Sequence, residues 1–402
     1  MTAEPMLAGV RVIEVADGDS PTAYAGRILS QLGADVLCIE PPEGSSLRSY
    51  GPFPDGVPDR EKSALFFALN FNKTGVTLNL ATATGRTILD SLLANVDVLI
   101  FSGDARLKYS KTKLDPESLA TKFPALVAAC VSTFGSEGPW QSWKGGDLLA
   151  SAAGGVSVGI GRPGQVPLSL PGEVASTQGG LAAVAGVLAS LVGRQHDGLG
   201  DWVDAAACDV WATIHCNFIL SFVYGHITGM RNGVRRGGVY PNQAFPCKDG
   251  TVFIECLQVQ QWVRFVEMMG TPAWSELPRY RDRRAMGSEY PEEVDALVIP
   301  WLTQFTREEL WATSREYRVP LTPVYSVEEL VRHPHLLFRR FFLEPVWEGR
   351  QIQLPGLPFQ LTNSSEGKIG PSPTLGQDNI RIYEGLGYTR EELIRMKAAE
   401  VI

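Results

Sequence analysis

Histidine is scarce in this chain of 402 residues, with five in all, and cysteine is hardly commoner at six, no two of them spaced Cys-x-x-Cys. Zinc ribbons, dithiol redox motifs and disulfide frameworks depend on such pairs, so the spacing argues against all three. Cys38, Cys130, Cys208, Cys216, Cys247 and Cys256 stand in apolar surroundings, as reduced structural thiols do. Basic runs are missing as well. With 36 Lys and Arg against 44 Asp and Glu, the net charge of −8 offers no field for a phosphate backbone, and nucleic acid is not an expected partner. The longest apolar stretch, residues 179–193, falls short of the roughly 20 residues a bilayer crossing takes and reads as a buried helix, so no membrane partner is expected. The opening MTAEPMLAGVRVIEV has no basic region followed by an apolar one and no small-residue cleavage site, which predicts a cytoplasmic protein.

What the sequence does have is the make-up of a globular protein, 44% hydrophobic and 20% charged, long enough for two or three domains at roughly 150 residues each. An apolar run at 10–15, helix-spaced apolar residues at 20–32 and a second run at 35–40 ending at Pro41-Pro42 make one βαβ unit. GVTLNL (75–80), a helix around 86–93, VDVLIF (96–101) and ALVAACVSTF (125–134) continue the alternation. The fold class expected is α/β, a doubly wound parallel sheet covered by helices. A long apolar helix is expected over 208–224, with a composition shift past Arg231. Beyond it lies an α+β region whose helices open with Ser/Thr-x-x-Glu boxes at Thr306 with Glu309 and Ser326 with Glu329, and a third such box at Thr389 with Glu392 closes the chain.

Two short motifs are set aside on context. Gly159, Gly161 and Gly164 spell GxGxxG, but Pro163 and a polar continuation follow where an amphipathic helix should open. Ser157 sits in GxSxG without a histidine placed to act as its base. His333 and His335 lack the Cys, Asp or Glu neighbours that would complete a metal site, and no metal is expected.

Longer segments carry more. GVRVIEVADGDSPTAYAGRILSQLGADVLCIEPPEGSSLR (9–48), FNKTGVTLNL (71–80), STFGSEGPW (132–140), KGGDLLASAAGG (144–155), GLGDWVDAAACD (198–209), KDGTVFIECLQVQQWVRFVEMMG (248–270), RVPLTPVYSVEELVRHPHLLFRRFF (318–342) and PGLPFQL (355–361) occur in that order. Together they resemble the family III CoA-transferases, the group of formyl-CoA transferase, carnitine CoA-transferase and the α-methylacyl-CoA racemases, over nearly the whole chain. The resemblance implies an interlocked dimer, each chain a Rossmann-like large domain (1–204 and 346–402) with a small domain (228–325), joined by linkers at 205–227 and 326–345. It implies a CoA thioester as substrate with no tightly bound cofactor. The positions it matches to CoA contacts are Ala16, Asp17 and Gly18 after the first strand, Asn72 and Lys73, Ser102, and Lys144, the lysines suiting phosphates.

Two departures stand out against the family. Its nucleophile is an Asp that attacks the thioester and passes through an anhydride to an enzyme-bound thioester. The matching residue here is Ser176, whose hydroxyl cannot take that role, and Glu173 is the nearest carboxylate in sequence. The racemase histidine position is Gly146, which excludes racemisation by that route. Around Ser102 the sequence reads Ser-Gly-Asp-Ala-Arg where the family has an Asn and an Arg-Pro-Gly segment, which sets Asp104 beside the CoA. The resemblance therefore implies one subunit of a heteromer, partnered by a homologous chain that carries the Asp, with a self-sufficient enzyme using Glu173 or another carboxylate as the alternative. Arg235 and Arg236 are candidate substrate residues, able to hold a second carboxylate bidentately.

Overall fold

Six short runs rich in Val, Ile and Ala form one parallel sheet in the computed structural model, which describes residues 4–229, 231–364 and 369–402. They are β1 (Arg11–Val15), β2 (Asp35–Glu40), β3 (Thr74–Thr77), β4 (Val98–Ser102), β5 (Val127–Ser132) and β6 (Trp202–Ala206), ordered β3-β2-β1-β4-β5-β6. Every pairing is parallel. β4 is buried along its whole length, and its residues alternate between two cores: Leu99 and Phe101 face one, Val98 and Ile100 the other. A strand covered on both faces has no polar side to show, which is why VDVLIF reads as a near-continuous apolar run. β6 has no such signal, since WVDAA runs straight into a helix, and the sequence reading misses it.

The helix Ser20–Gln31 starts on Asp19, whose Oδ1 accepts the Thr22 N–H at 2.8 Å, with a proline in its first turn. The helix Val174–Asp197 lies against it and against β5 and β6, burying Gly179, Gly180, Ala183, Val184 and Val187. A Cβ at Gly180 would stand 2.2 Å from the Pro21 carbonyl, so the two helices approach only because that position is bare. Among the described residues it is the one helix long and apolar enough to cross a membrane by length and composition, and its small-residue face packs on the sheet instead. The apolar helix expected over 208–224 is two helices, Ala207–Ile214 and Cys216–Gly225, meeting at His215.

The end of the chain returns to the open edge of β3. Asp378 and Asn379 accept the Gly75 and Thr77 N–H groups, and the Tyr383 hydroxyl donates to the Thr77 carbonyl at 2.6 Å. Side chains thereby occupy edge groups that would otherwise invite another strand.

Chain contacts divide the molecule into two units, Met1–Ser157, Ser169–Thr228 and Phe338–Ile402 forming the first, and Val158–Leu168 with Gly229–Leu337 the second. Residues 158–168 belong to the second because Gly161 accepts the Gly233 N–H and Val158 accepts from Arg231. The stretch taken from sequence as the linker 205–227 groups with the first unit. In the second unit β7 (Asn242–Cys247), β8 (Gly250–Glu255) and β9 (Leu321–Pro323) form an antiparallel sheet over a core of Tyr240, Phe245, Trp262 and Phe265. Its two Ser/Thr-x-x-Glu boxes, and the one at Thr389, are formed as reciprocal caps.

Candidate functional site

In this strand order the chain leaves β1 toward one side and β4 toward the other, and the loops at their carboxyl ends part to leave a crevice. A cavity of about 400 Å³ occupies that place in the first unit. Gly18 and Asp19 after β1, Ser102 ending β4 and Asp104 beyond it, Ser132 ending β5 and Ala207 after β6 all line it. Gly18 sits at φ +102°, and a Cβ there would fall 2.1 Å from the Ser46 hydroxyl, so the loop after β1 tolerates only glycine. Ser102, buried at the end of β4, accepts the Ala105 N–H at 3.0 Å and starts the short helix Gly103–Lys108, which turns Asp104 to the cavity.

Asp19 has one oxygen committed to its helix and the other, Oδ2, sealed from solvent without a partner among the described residues. Burial pushes its carboxyl up to about 6; the hydrogen bond from Thr22 offsets part of that effect, and the Glu14 charge adds to it.

Ser176, also buried, stands in the first turn of the helix Val174–Asp197. The carboxylate it meets is one the sequence reading missed. Asp147 Oδ1 accepts the Ser176 N–H at 2.8 Å and the Ser176 hydroxyl at 3.1 Å. Glu173, the N-cap residue of this helix, makes no side-chain capping bond, so Asp147 caps the helix from outside. The signal was available in Lys144-Gly-Gly-Asp147: two glycines bring the chain in close, and a Cβ at Gly145 would stand 2.0 Å from the Thr133 hydroxyl. Glu173 itself is exposed on the cavity wall, its carboxylate without a hydrogen bond among the described residues.

The other sequence candidates fall elsewhere. Lys73 is 6% exposed and gives its ammonium to Glu14 at 2.7 Å, Asn70 at 2.9 Å and the Ala23 carbonyl at 3.0 Å. In this structure its ammonium is directed into the fold, paired with Glu14, rather than toward the cavity. Asn72, before β3 at φ +67°, donates to the Ser30 hydroxyl and lies outside the cavity. Ala16 is buried, and Asp17 accepts Lys108 at 2.7 Å. Lys144 is exposed and does not line the cavity. In the second unit Arg235 is bound by Asp295 at 2.5 Å and Glu292 at 3.2 Å, so its fork is already filled, while Arg236 is 70% exposed with only Glu255 at 3.9 Å. Ser157 is bonded to Ser151 at 2.6 Å, in keeping with setting its motif aside.

The cavity thus carries four carboxylates, Asp19, Asp104, Asp147 and Glu173, and among its described lining residues no lysine or arginine. Against them stands an aromatic wall. Trp140 and Trp143 stack with ring centres 5.5 Å apart, and Phe134 sets its edge against both.

A sequence profile described as CoA-transferase family III matches residues 7–379. The succinyl-CoA–D-citramalate CoA-transferase of Chloroflexus aurantiacus is 27% identical over 388 residues, covering 94% of each chain. The succinyl-CoA:(R)-benzylsuccinate CoA-transferase subunit BbsE of Thauera aromatica is 27% identical over 407 residues, covering 96% of this chain and 97% of its own. Among solved structures, a CAIB/BAIF family protein from Brucella suis superposes with a TM-score of 0.83 at 26% identity, over 96% of this chain and all of that one.

Proposed function

The chain belongs to CoA-transferase family III, and from that premise we propose that it is the subunit of a two-chain CoA-transferase that lacks the nucleophile. Its companion is a homologous chain carrying the Asp, interlocked with it, and the pair moves CoA from an acyl-CoA such as succinyl-CoA to a carboxylic acid. One observation carries the reading: at Ser176, the position the resemblance matches to the attacking carboxylate, the side chain is a hydroxyl, and the carboxylate beside it, Asp147, is occupied as a helix cap. A hydroxyl donating to a carboxylate does not itself become an acyl-accepting carboxylate. Further support comes from the helix Cys216–Gly225, which leaves Phe218, Ile219, Leu220, Phe222, Val223 and Tyr224 exposed. So continuous an apolar face is the mark of a chain-to-chain interface.

In the reaction, the companion's carboxylate attacks the thioester carbonyl and CoA leaves as thiolate. The thiolate then attacks the protein acyl carbon of the anhydride, releasing the donor acid and leaving CoA on the protein. The acceptor acid repeats both steps in reverse and frees the carboxylate. This chain's part is to shape the crevice and exclude water, which would hydrolyse the anhydride. A second reading, with Glu173 as the attacking group, is favoured by its free carboxylate on the cavity wall. Steady-state assays separate the two. The purified chain alone is expected to transfer no CoA from succinyl-CoA to any acid, and addition of a homologous chain that carries the Asp is expected to restore transfer. Transfer by the chain alone that is lost in Glu173→Gln would establish the second reading instead.

A further inference from the structure

Two tryptophans on a loop are expensive to leave in water. Trp140 and Trp143 are 43% and 58% exposed, yet they are held in order: the Trp143 N–H bonds the Trp140 carbonyl at 2.9 Å, the rings lie 20° from parallel, and Phe134 meets each edge-on. Both rings line the same cavity as Ser176, and Leu47 and Leu107 add apolar surface to it. Such a platform offers flat apolar area with few rotors to freeze, and a ring laid on it gains stacking beyond simple burial.

Charge narrows the occupant. Asp19, Asp104, Asp147 and Glu173 face the same space, so a phosphate or a second carboxylate entering it meets like charge on several sides. The nucleotide end of CoA and a dicarboxylic acyl chain are both poor fits, whereas an uncharged ring is not.

We propose that the Trp140–Trp143 platform seats the acyl group of the acceptor acid, and that this group, unlike the succinyl donor, carries an aromatic ring and no second carboxylate. The inference rests on the chain being a CoA-transferase subunit and adds the class of acid it handles. It replaces the dicarboxylic acid suggested by Arg235 and Arg236, since the Arg235 guanidinium is already held by Asp295.

Calorimetric titration tests it, on the full chain purified with any chain that accompanies it, with phenylacetyl-CoA, hexanoyl-CoA, succinyl-CoA and free CoA as probes. Phenylacetyl-CoA is expected to bind about tenfold more tightly than hexanoyl-CoA or succinyl-CoA. Trp143→Leu should erase that margin and leave free CoA unchanged, while Trp143→Phe should keep most of it, which separates loss of the ring from loss of the fold. Equal affinity for the three acyl-CoAs would overturn the assignment and leave the transferase reading standing. So would a Trp143→Leu variant that weakens free CoA as much as phenylacetyl-CoA, since the adenine would then be the ring on the platform. A change of oligomeric state in that variant would also overturn it, placing another chain on the pair. Binding of none of the four would remove the transferase reading and this inference together.

Discussion

Carboxylates on the two sides of β1 live under opposite rules. Toward β2 and β3, Glu14 and Glu40 are sealed from water and each has its cation: Lys73 at 2.7 Å from Glu14, Arg48 at 2.7 Å from Glu40 with a second bond from its other nitrogen. Toward β4 and β5, Asp19, Asp147 and Glu173 line an open cavity, and the donors they meet are backbone N–H groups and hydroxyls, or none. The closed side is built for stability, where a buried charge survives only with a partner. On the open side Glu173 keeps its charge in contact with water, while Asp19, which has no cation, holds its proton to higher pH instead. Sequence alone does not tell these apart, and Lys73 shows why: a lysine next to a strand looks the same whether its ammonium points out to a ligand or in to Glu14.

The largest effect expected from breaking this contrast is on the closed side. Lys73→Met leaves Glu14 buried and unpaired, and burial already holds the Glu14 carboxyl above its usual range against the pull of Lys73. The variant should lose about 3–5 kcal/mol in urea unfolding, and adding Glu14→Gln should recover a large part of it. A loss below about 1 kcal/mol would mean that the pair is no structural keystone.

Next comes Asp19, the one crevice carboxylate with a sealed oxygen that lacks a partner among the described residues. Its carboxyl titrates near 6 folded, against 3.8 for a free group, so folding takes up a proton between those values. Stability from this group is therefore present at low pH, falls as pH rises from about 4 to about 6 and stays lowered above. Asparagine keeps the helix cap and removes the ionisation. Asp19→Asn should match the parent at pH 4 and exceed it by about 1–3 kcal/mol at pH 7, read from melting at both pH values. A difference independent of pH would contradict the assignment.

Smaller again is Asp147→Ala, which removes one external cap from the helix Val174–Asp197 and should cost about 0.5–2 kcal/mol of stability. If Asp147 is a cap and not the attacking group, CoA transfer by the assembly proposed above should persist below the melting temperature. Arg236→Met should change neither stability nor transfer kinetics, since its guanidinium is solvated.

Where burial dictates residue type, the fold was open to reading in advance. The strands at 35–40 and 96–101 announce themselves because both of their faces are covered, and the three reciprocal caps because Ser or Thr and Glu must stand three apart. β6 escaped because Trp202–Ala206 has little branched apolar content and shares its last residues with a helix start. At the site, Ser176 and Glu173 could be placed from the sequence, since the helix that carries them is a strong signal. Asp147 was missed: the paired glycines before it mark a close approach of the chain, but its tie to Ser176 spans 29 residues, so the sequence does not name its partner. The tryptophan platform lies in a Gly- and Pro-bearing loop, where no period marks which side chains will meet.

The most direct measurement is intact-mass spectrometry of this chain and of its proposed companion after exposure to an acyl-CoA, with borohydride or hydroxylamine to trap the protein–CoA thioester. A trapped adduct on the companion chain and none on this one is the predicted result. An adduct mapped to Glu173 or Asp147 of this chain would contradict its assignment as the subunit without a nucleophile.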